Sequence, residues 1–341
     1  MVTDTIWTDH RTATRWLSEP GEDHAVTNPL EAMAPSGCDF EVEKRALYYP
    51  ARTIYPGALE LMRDPNAQPR VEYRELARHQ VSVRSDTGSA FGPVGKGYCE
   101  LQNRELFELA ASLGLTVATA GALDNGRRVW LLCYKGSATF EPVRGDAVKQ
   151  YVCLSTTHDG SGAVHIFDTD VRIVCRNTFR LAHRDARNGT SIRHTASLPE
   201  RFALASDQLH RTFAAQAEFR EVAARLARVQ VSANKWTAVL DGTIPLTDVG
   251  GAELPEGRAR TTRENKREEL TRLFEAGVGQ DIPGVRGTGW AALNAFTQWS
   301  THAKATRTQE GGDSAQAKRL EALWFGAGSD LPNKAAELLL A

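Results

Sequence analysis

The pair Asn125-Gly126, in LTVATAGALDNGRRVWLLCY, is the feature that most restricts the fold. Asn and Gly both accept positive φ, so the pair closes a tight antiparallel hairpin between the extended runs on either side. Two more turns of this kind frame it. VSVRSDTGSAFGPVGKGY folds back around Asp86-Thr87-Gly88, and VKQYVCLSTT is joined to AVHIF through HDGSG. Three hairpins in one stretch of chain require an antiparallel sheet. A helix is predicted between the first two, over 104–113 (RELFELAASL), with Asn103 as its N-cap and Gly114 as its stop. A second is predicted over about 170–184, capped by Thr169 or Asp170. The expected class is α+β, an antiparallel sheet with helices on one face, followed by an all-helical C-terminal region.

Composition along the chain divides it in three. Residues 1–78 read as an irregular N-terminal segment, with Pro20, Pro29 and Pro35, then YYP, YPG and DPN, and one short helix near 57–63. Residues 79–196 form the hairpin–helix core. Residues 197–341 form the helical region. There, 198–235 carries Phe202, Leu209, Phe213, Val222, Leu226 and Val229 as its apolar face, and 237–260 (DGTIP, DVGG, LPEG) reads as a loop. Helices follow over 261–277 and 290–304, with two shorter ones after Gly311-Gly312 and Pro332. The apolar runs WAALNAFTQW and LEALWF admit two readings: Trp290 and Trp324 are core residues, or they build a homo-oligomer, ring or filament.

Several functions are set aside by what is absent. No run of about 18 apolar residues exists, so no membrane span or membrane partner is expected. MVTDTIWTDHRTATRW lacks the apolar core of a signal segment. The cysteines at 38, 99, 133, 153 and 175 form no CxxC pair and read as reduced thiols of a cytoplasmic protein. The formal net charge is −1, so a polyanion can be held only by a local patch.

One such patch stands out. In DVRIVCRNTFRLAHRDAR, Arg172, Arg176, Arg180 and Arg184 recur at a spacing of four. On a helix they share one face, with Val171, Val174, Cys175, Thr178 and Ala182 on the apolar side. The repeat of about 6 Å is comparable to the phosphate spacing of an extended single strand. A guanidinium fork suits phosphates, and a solvated basic face explains the row as well. Lys96, Arg127, Arg128 and Arg193 can extend the patch, with Tyr98, Trp130, Tyr151 and Phe179 near them as stacking or core aromatics.

Catalytic signatures are sparse. GPVGKGY lacks the frame of a phosphate loop, and there is no HExxH, GxSxG or paired-carboxylate motif. His158, Asp159 and His165 in and after the HDGSG turn, with Cys175, are the residues a metal-dependent enzyme acting on nucleic acid would use. No metal or nucleotide cofactor is implied, and no enzyme is expected.

The blocks VRSDTGSAFGPVGKGYCELQNRELF, TAGALDNGRRVWLL, HDGSGAVHIFDTDVRIVCRNTFRLA, IRHT and GTGWAALNAFTQWSTH resemble the phage/plasmid-like family built on domain of unknown function 932, from about residue 80 to the C-terminus. RIVCRNTFRLA followed by IRHT is the most specific part. A distant similarity to the single-strand annealing recombinases implies a nonenzymatic mobile-element protein. Such a protein binds single-stranded DNA in a basic groove, assembles into rings or filaments, promotes annealing or DNA recombination, and meets host recombination or replication proteins. A host-factor-binding interaction protein is the alternative that needs no DNA.

Overall fold

The structure, a computed structural model, describes residues 6–7, 26–136, 139–172, 178–179, 189–303, 315, 318–319, 322 and 327–341. In chain order the first elements are β1 (Ile6–Trp7), β2 (Val42–Ile54), α1 (Ala58–Arg63), β3 (Arg70–Arg84), β4 (Ala90–Gly95) and α2 (Asn103–Ser112). The sheet then continues through β5 (Thr116–Leu123), β6 (Arg128–Tyr134), β7 (Thr139–Val143), β8 (Asp146–Thr157), β9 (Val164–Arg172), β10 (Thr178–Phe179) and β11 (Gly189–Ile192). Helices close the chain: α3 (Leu198–Ala203), α4 (Ala205–Arg228), α5 (Ala233–Thr243), α6 (Arg258–Ala276), α7 (Gly289–Gln298) and α8 (Asp330–Leu340). The class is α+β, with antiparallel sheets and C-terminal helices as expected.

The larger sheet has the order β1-β5-β6-β8-β9-β10, with β7 on β8 and β11 on β9. Its hairpins fall at the turns the sequence marks. Asp124, Asn125 and Gly126 all have positive φ between β5 and β6. A Cβ at Gly126 would lie 2.7 Å from the Phe40 ring, so only glycine fits that corner. Alternation then sorts each strand. Leu131, Leu154 and Ile166 pair across three strands and share a core with Leu106, Phe107 and Ala110 of α2. Val148 lies on the same face of β8 and joins a second core with Phe219, Ala223 and Leu226 of α4. The opposite face, with Trp130, Leu132, Cys153 and Phe167, is buried as well.

α2 begins one residue earlier than an Asn103 cap would place it, with Gln102 as its cap. Glu105 accepts the backbone N–H of Gln102 at 2.7 Å, while the Asn103 side chain turns inward and donates to the carbonyls of Cys38 and Phe40. Gly114, at φ +62°, ends the helix as expected.

Three expectations are corrected. Residues 1–78 are not irregular throughout: β2 and β3 are long strands of a second sheet, β2-β3-β4, and the boundary drawn at 78/79 cuts through β3. Pro50 is tolerated because β2 is an edge strand with a bulge beside it. The predicted loop over 237–260 is helical as far as Thr243, since Val239 and Leu240 face the second core. The helix over 170–184 is overturned where the structure describes it. β9 continues to Arg172, opposite Val148, and Thr178-Phe179 pair back onto Val171 and Asp170 as β10. Residues 173–177 and 180–188 lie outside the described residues.

The helical region packs around α7, which is buried from Gly289 to Thr297. Thr288 caps it by accepting from the Ala291 N–H at 3.1 Å. Trp290 is fully buried and its indole N–H donates to Asp146 Oδ2 at 2.8 Å, so it is a core residue that ties the helices to the start of β8. Trp236 stacks on Phe274 and donates to Thr271. Trp324 lies outside the described residues.

Candidate functional site

Two short stretches that are remote in sequence, GKGYC and IRHT, meet at one edge of the larger sheet. β11 pairs antiparallel with β9, placing Ser191 opposite His165 and Ile192 opposite Val164. Ile192 and Val164 point into the core, so their neighbours along each strand point the other way. Immediately after β11, the Cys99 N–H donates to the His194 carbonyl at 3.1 Å, which fastens IRHT to GKGYC. His194 Nδ1 donates to the Cys99 carbonyl at 2.8 Å. That bond fixes the tautomer, so Nε2 is the bare nitrogen that accepts from the Thr156 hydroxyl at 3.4 Å. Tyr98 stacks on the imidazole, with centroids 4.6 Å apart, and its hydroxyl donates to the Thr157 carbonyl at 2.7 Å.

These contacts form the wall of a cleft of about 440 Å³. Tyr98, His165, Arg193 and His194 line it, together with the hydroxyl residues Ser161, Ser191 and Thr195. Gly160 and Gly162 of the HDGSG turn form its floor. A Cβ at Gly162 would lie 2.8 Å from the Thr157 hydroxyl, so the turn can approach β8 only as glycine. Asp159 holds the turn by accepting from both the N–H and the hydroxyl of Ser161.

The wall carries one arginine, Arg193, and feels the nearby carboxylates of Asp159 and Glu100. Burial holds the His194 imidazole below its ordinary range, against the pull of the Cys99 carbonyl and Asp159. Burial raises the Tyr98 phenol, so it stays protonated. Arg193 is exposed, and no carboxylate lines the cleft among the described residues. One face of Tyr98 is taken by His194, which leaves recognition to the guanidinium and the hydroxyls. Such a wall suits one phosphate-bearing group rather than a stack of bases.

The sequence-predicted site residues scatter. Arg193 is at the cleft. Lys96 directly follows β4 and lies 3.8 Å from Glu75. Arg127 pairs with Asp124 at 2.9 Å and with Asp159 at 3.7 Å. Arg128 is half-buried on β6, opposite Thr157. Arg172 ends β9, so the reasoning that put it on a helical face with the others fails. Arg176, Arg180 and Arg184 lie outside the described residues, as does Cys175.

The residues weighed for metal chemistry do not converge either. His158 is fully buried, edge-on to Phe40, with Nε2 bonded to Asn103 Oδ1 at 2.8 Å. Its pKa is pushed down to about 3, by burial first and by His194 second. No group of three or more His, Cys, Asp or Glu that could hold a metal ion occurs among the described residues. Burial pushes the Cys38 thiol up to about 12 and raises Cys133 well above the ordinary thiol range, so neither is a nucleophile at neutral pH.

The sequence also hid a buried polar network further along β9. Asp168 and Asp170 lie on one face of β9, against Gln150, and α4 brings Gln216 and Arg220 onto them. Gln150 and Gln216 bond each other's backbone neighbourhoods, and Arg220 donates to Gln150. Burial and the neighbouring Asp168 raise the Asp170 carboxyl well above its ordinary range.

Residues 90–324 match the family model described as domain of unknown function, DUF932. No curated protein and no solved structure matches the chain. No helix of the described residues is long and apolar enough to cross a membrane.

Proposed function

Taking as premise that the chain belongs to the DUF932 family, we propose that it binds single-stranded DNA and promotes annealing or recombination without catalysis, as a cytoplasmic, homo-oligomeric protein of a phage or plasmid. The observation that carries the binding step is the cleft. Arg193 stands at a concave wall of hydroxyls and the neutral His194 imidazole, and Asp159, whose charge reaches that wall, is held by Ser161 and Arg127. Backbone contact at one phosphate per copy needs no base reading, because pairing between strands supplies the sequence. Repetition of the cleft around an oligomer would multiply a weak contact into a useful one. Host recombination or replication proteins would then receive the annealed product.

Fluorescence anisotropy with labelled single strands and duplexes tests this reading. Single strands should bind more tightly, and Arg193→Gln should weaken binding about 5- to 10-fold, the range for one charged contact. Absence of binding to any single strand at low salt, in every oligomeric form, overturns it.

A further inference from the structure

The second sheet continues outward as an arm. β4 pairs with β3 only from His79 to Val83, so beyond that point the ribbon of β2 and β3 is two-stranded and capped by α1. A lone two-stranded ribbon is marginally stable in water, because neither face is covered. Register shows that its faces differ. Tyr48 opposes Glu75, Pro50 opposes Tyr73 and Thr53 opposes Val71, so one face is largely apolar. Tyr49 opposes Arg74, Arg52 opposes Glu72 and Ile54 opposes Arg70, so the other is largely charged. Tyr73 is 64% exposed, and at the tip Tyr55 is 75% and Met62 82% exposed. Leu59 and Leu61 extend the same tip, and α1 buries no residue.

We propose that this arm is the assembly element of the protein, the apolar face of one ribbon and its tip helix docking on those of a second copy of the chain. The oligomer belongs to the function proposed above, but its surface is argued from the arm alone. Two observations favour a second copy. The exposed apolar side chains amount to roughly 1,000 Å² per copy, near the area each partner of a stable complex contributes. The charges are balanced: residues 46–79 carry five Arg and four acids, some already paired, as Arg52 with Glu72 and Arg70 with Glu60. A surface with both signs complements itself, whereas an arm for nucleic acid or an anionic membrane would carry an excess of cations.

Sedimentation of the full chain over a wide concentration range, beside Tyr73→Ser/Met62→Ser, is the test. The parent should assemble, and the double variant should need at least about 100-fold higher concentration, each exposed anchor contributing a factor of about 10–30. Both should melt alike, since neither residue is in a core. If Tyr73→Ser disturbs the ribbon, Leu59→Ser/Met62→Ser in the tip helix carries the same test. A parent that stays monomeric overturns the proposal, as does a double variant that assembles like the parent. Oligonucleotides or anionic vesicles retained by a monomeric parent, and released by the double variant, would assign the arm to them instead and also overturn it. Single-strand binding at the cleft is read separately in each variant. Retained binding with lost assembly supports the arm and leaves the DNA reading standing; assembly lost with the arm and no binding by either protein removes the DNA reading alone.

Discussion

His158 is buried as a neutral ring, and its tautomer follows from its neighbour. The Asn103 amide donates both its hydrogens to Cys38 and Phe40 carbonyls, which leaves its oxygen facing His158. Nε2 must therefore carry the proton, while Nδ1 is buried without a hydrogen-bond partner. The pKa is depressed to about 3 from an ordinary value near 6.5. The unfolded chain thus binds a proton below about pH 6.5 that the folded chain refuses. The stabilising contribution is complete above that pH and is lost as pH falls toward 3. Between pH 7 and pH 4 the loss amounts to about 3 kcal/mol. His158→Gln keeps a donor for Asn103 and cannot titrate. Thermal melts should show the variant less stable at pH 7 and the gap closing, or reversing, by pH 4. Parallel pH profiles for the two proteins would mean that His158 is hydrated in solution. Asp170 acts in the opposite sense, since its raised carboxyl favours the folded state at low pH, but it is common to both proteins.

At the level of elements, Trp290 joins the two halves of the molecule. Its ring fills the second core, where Phe219 lies 6.4 Å away, and its N–H meets Asp146 at the first residue of β8. Trp290→Phe keeps most of the apolar volume and removes that bond, at a cost of about 1–3 kcal/mol plus a small cavity. Denaturant melts should show a lowered midpoint with an unchanged slope; a midpoint equal to the parent's would mean that the bond adds nothing. The sequence made α7 legible through the largely apolar run WAALNAFTQW, and the hairpins through turn residues that act locally. The misplaced helix has an equally physical cause. A spacing of four is a multiple of two, so Arg172 and Arg176 would share a face of a strand as readily as of a helix. What decides is the length of β8, which offers β9 a partner as far as Val148. Asp170 reads as a candidate helix cap, whereas it is buried on β9 against Gln150, beside Asp168 and Arg220 of α4. β2 and the outer part of β3 were illegible because a ribbon exposed on both faces loses the apolar alternation that announces a strand. The cleft was half legible: Tyr98, His165, Arg193 and His194 each stand out, but only strand register brings them together.

For the whole molecule, the decisive quantity is the salt dependence of binding. A chain of formal net charge −1 has no long-range field to draw a polyanion in. Many of the described basic side chains are matched locally: Arg84 by Asp86, Arg104 by Glu108, Arg260 by Glu264 and Arg267 by Asp241. Affinity for a single strand must therefore come from few contacts per copy. Each phosphate neutralised contributes a slope of about −0.7 in log affinity against log salt. Arg193 alone predicts about −0.7 per protomer, and a row of four further arginines on one surface would add roughly −3. A titration of the non-assembling arm variant over a range of salt separates these cases, because it removes the multiplication that assembly brings. A shallow slope that Arg193→Gln flattens to near zero assigns the phosphate contact to the cleft. A steep slope that survives Arg193→Gln and collapses with Arg176→Gln/Arg180→Gln would return the contact to the arginine row and leave the cleft without a part in it.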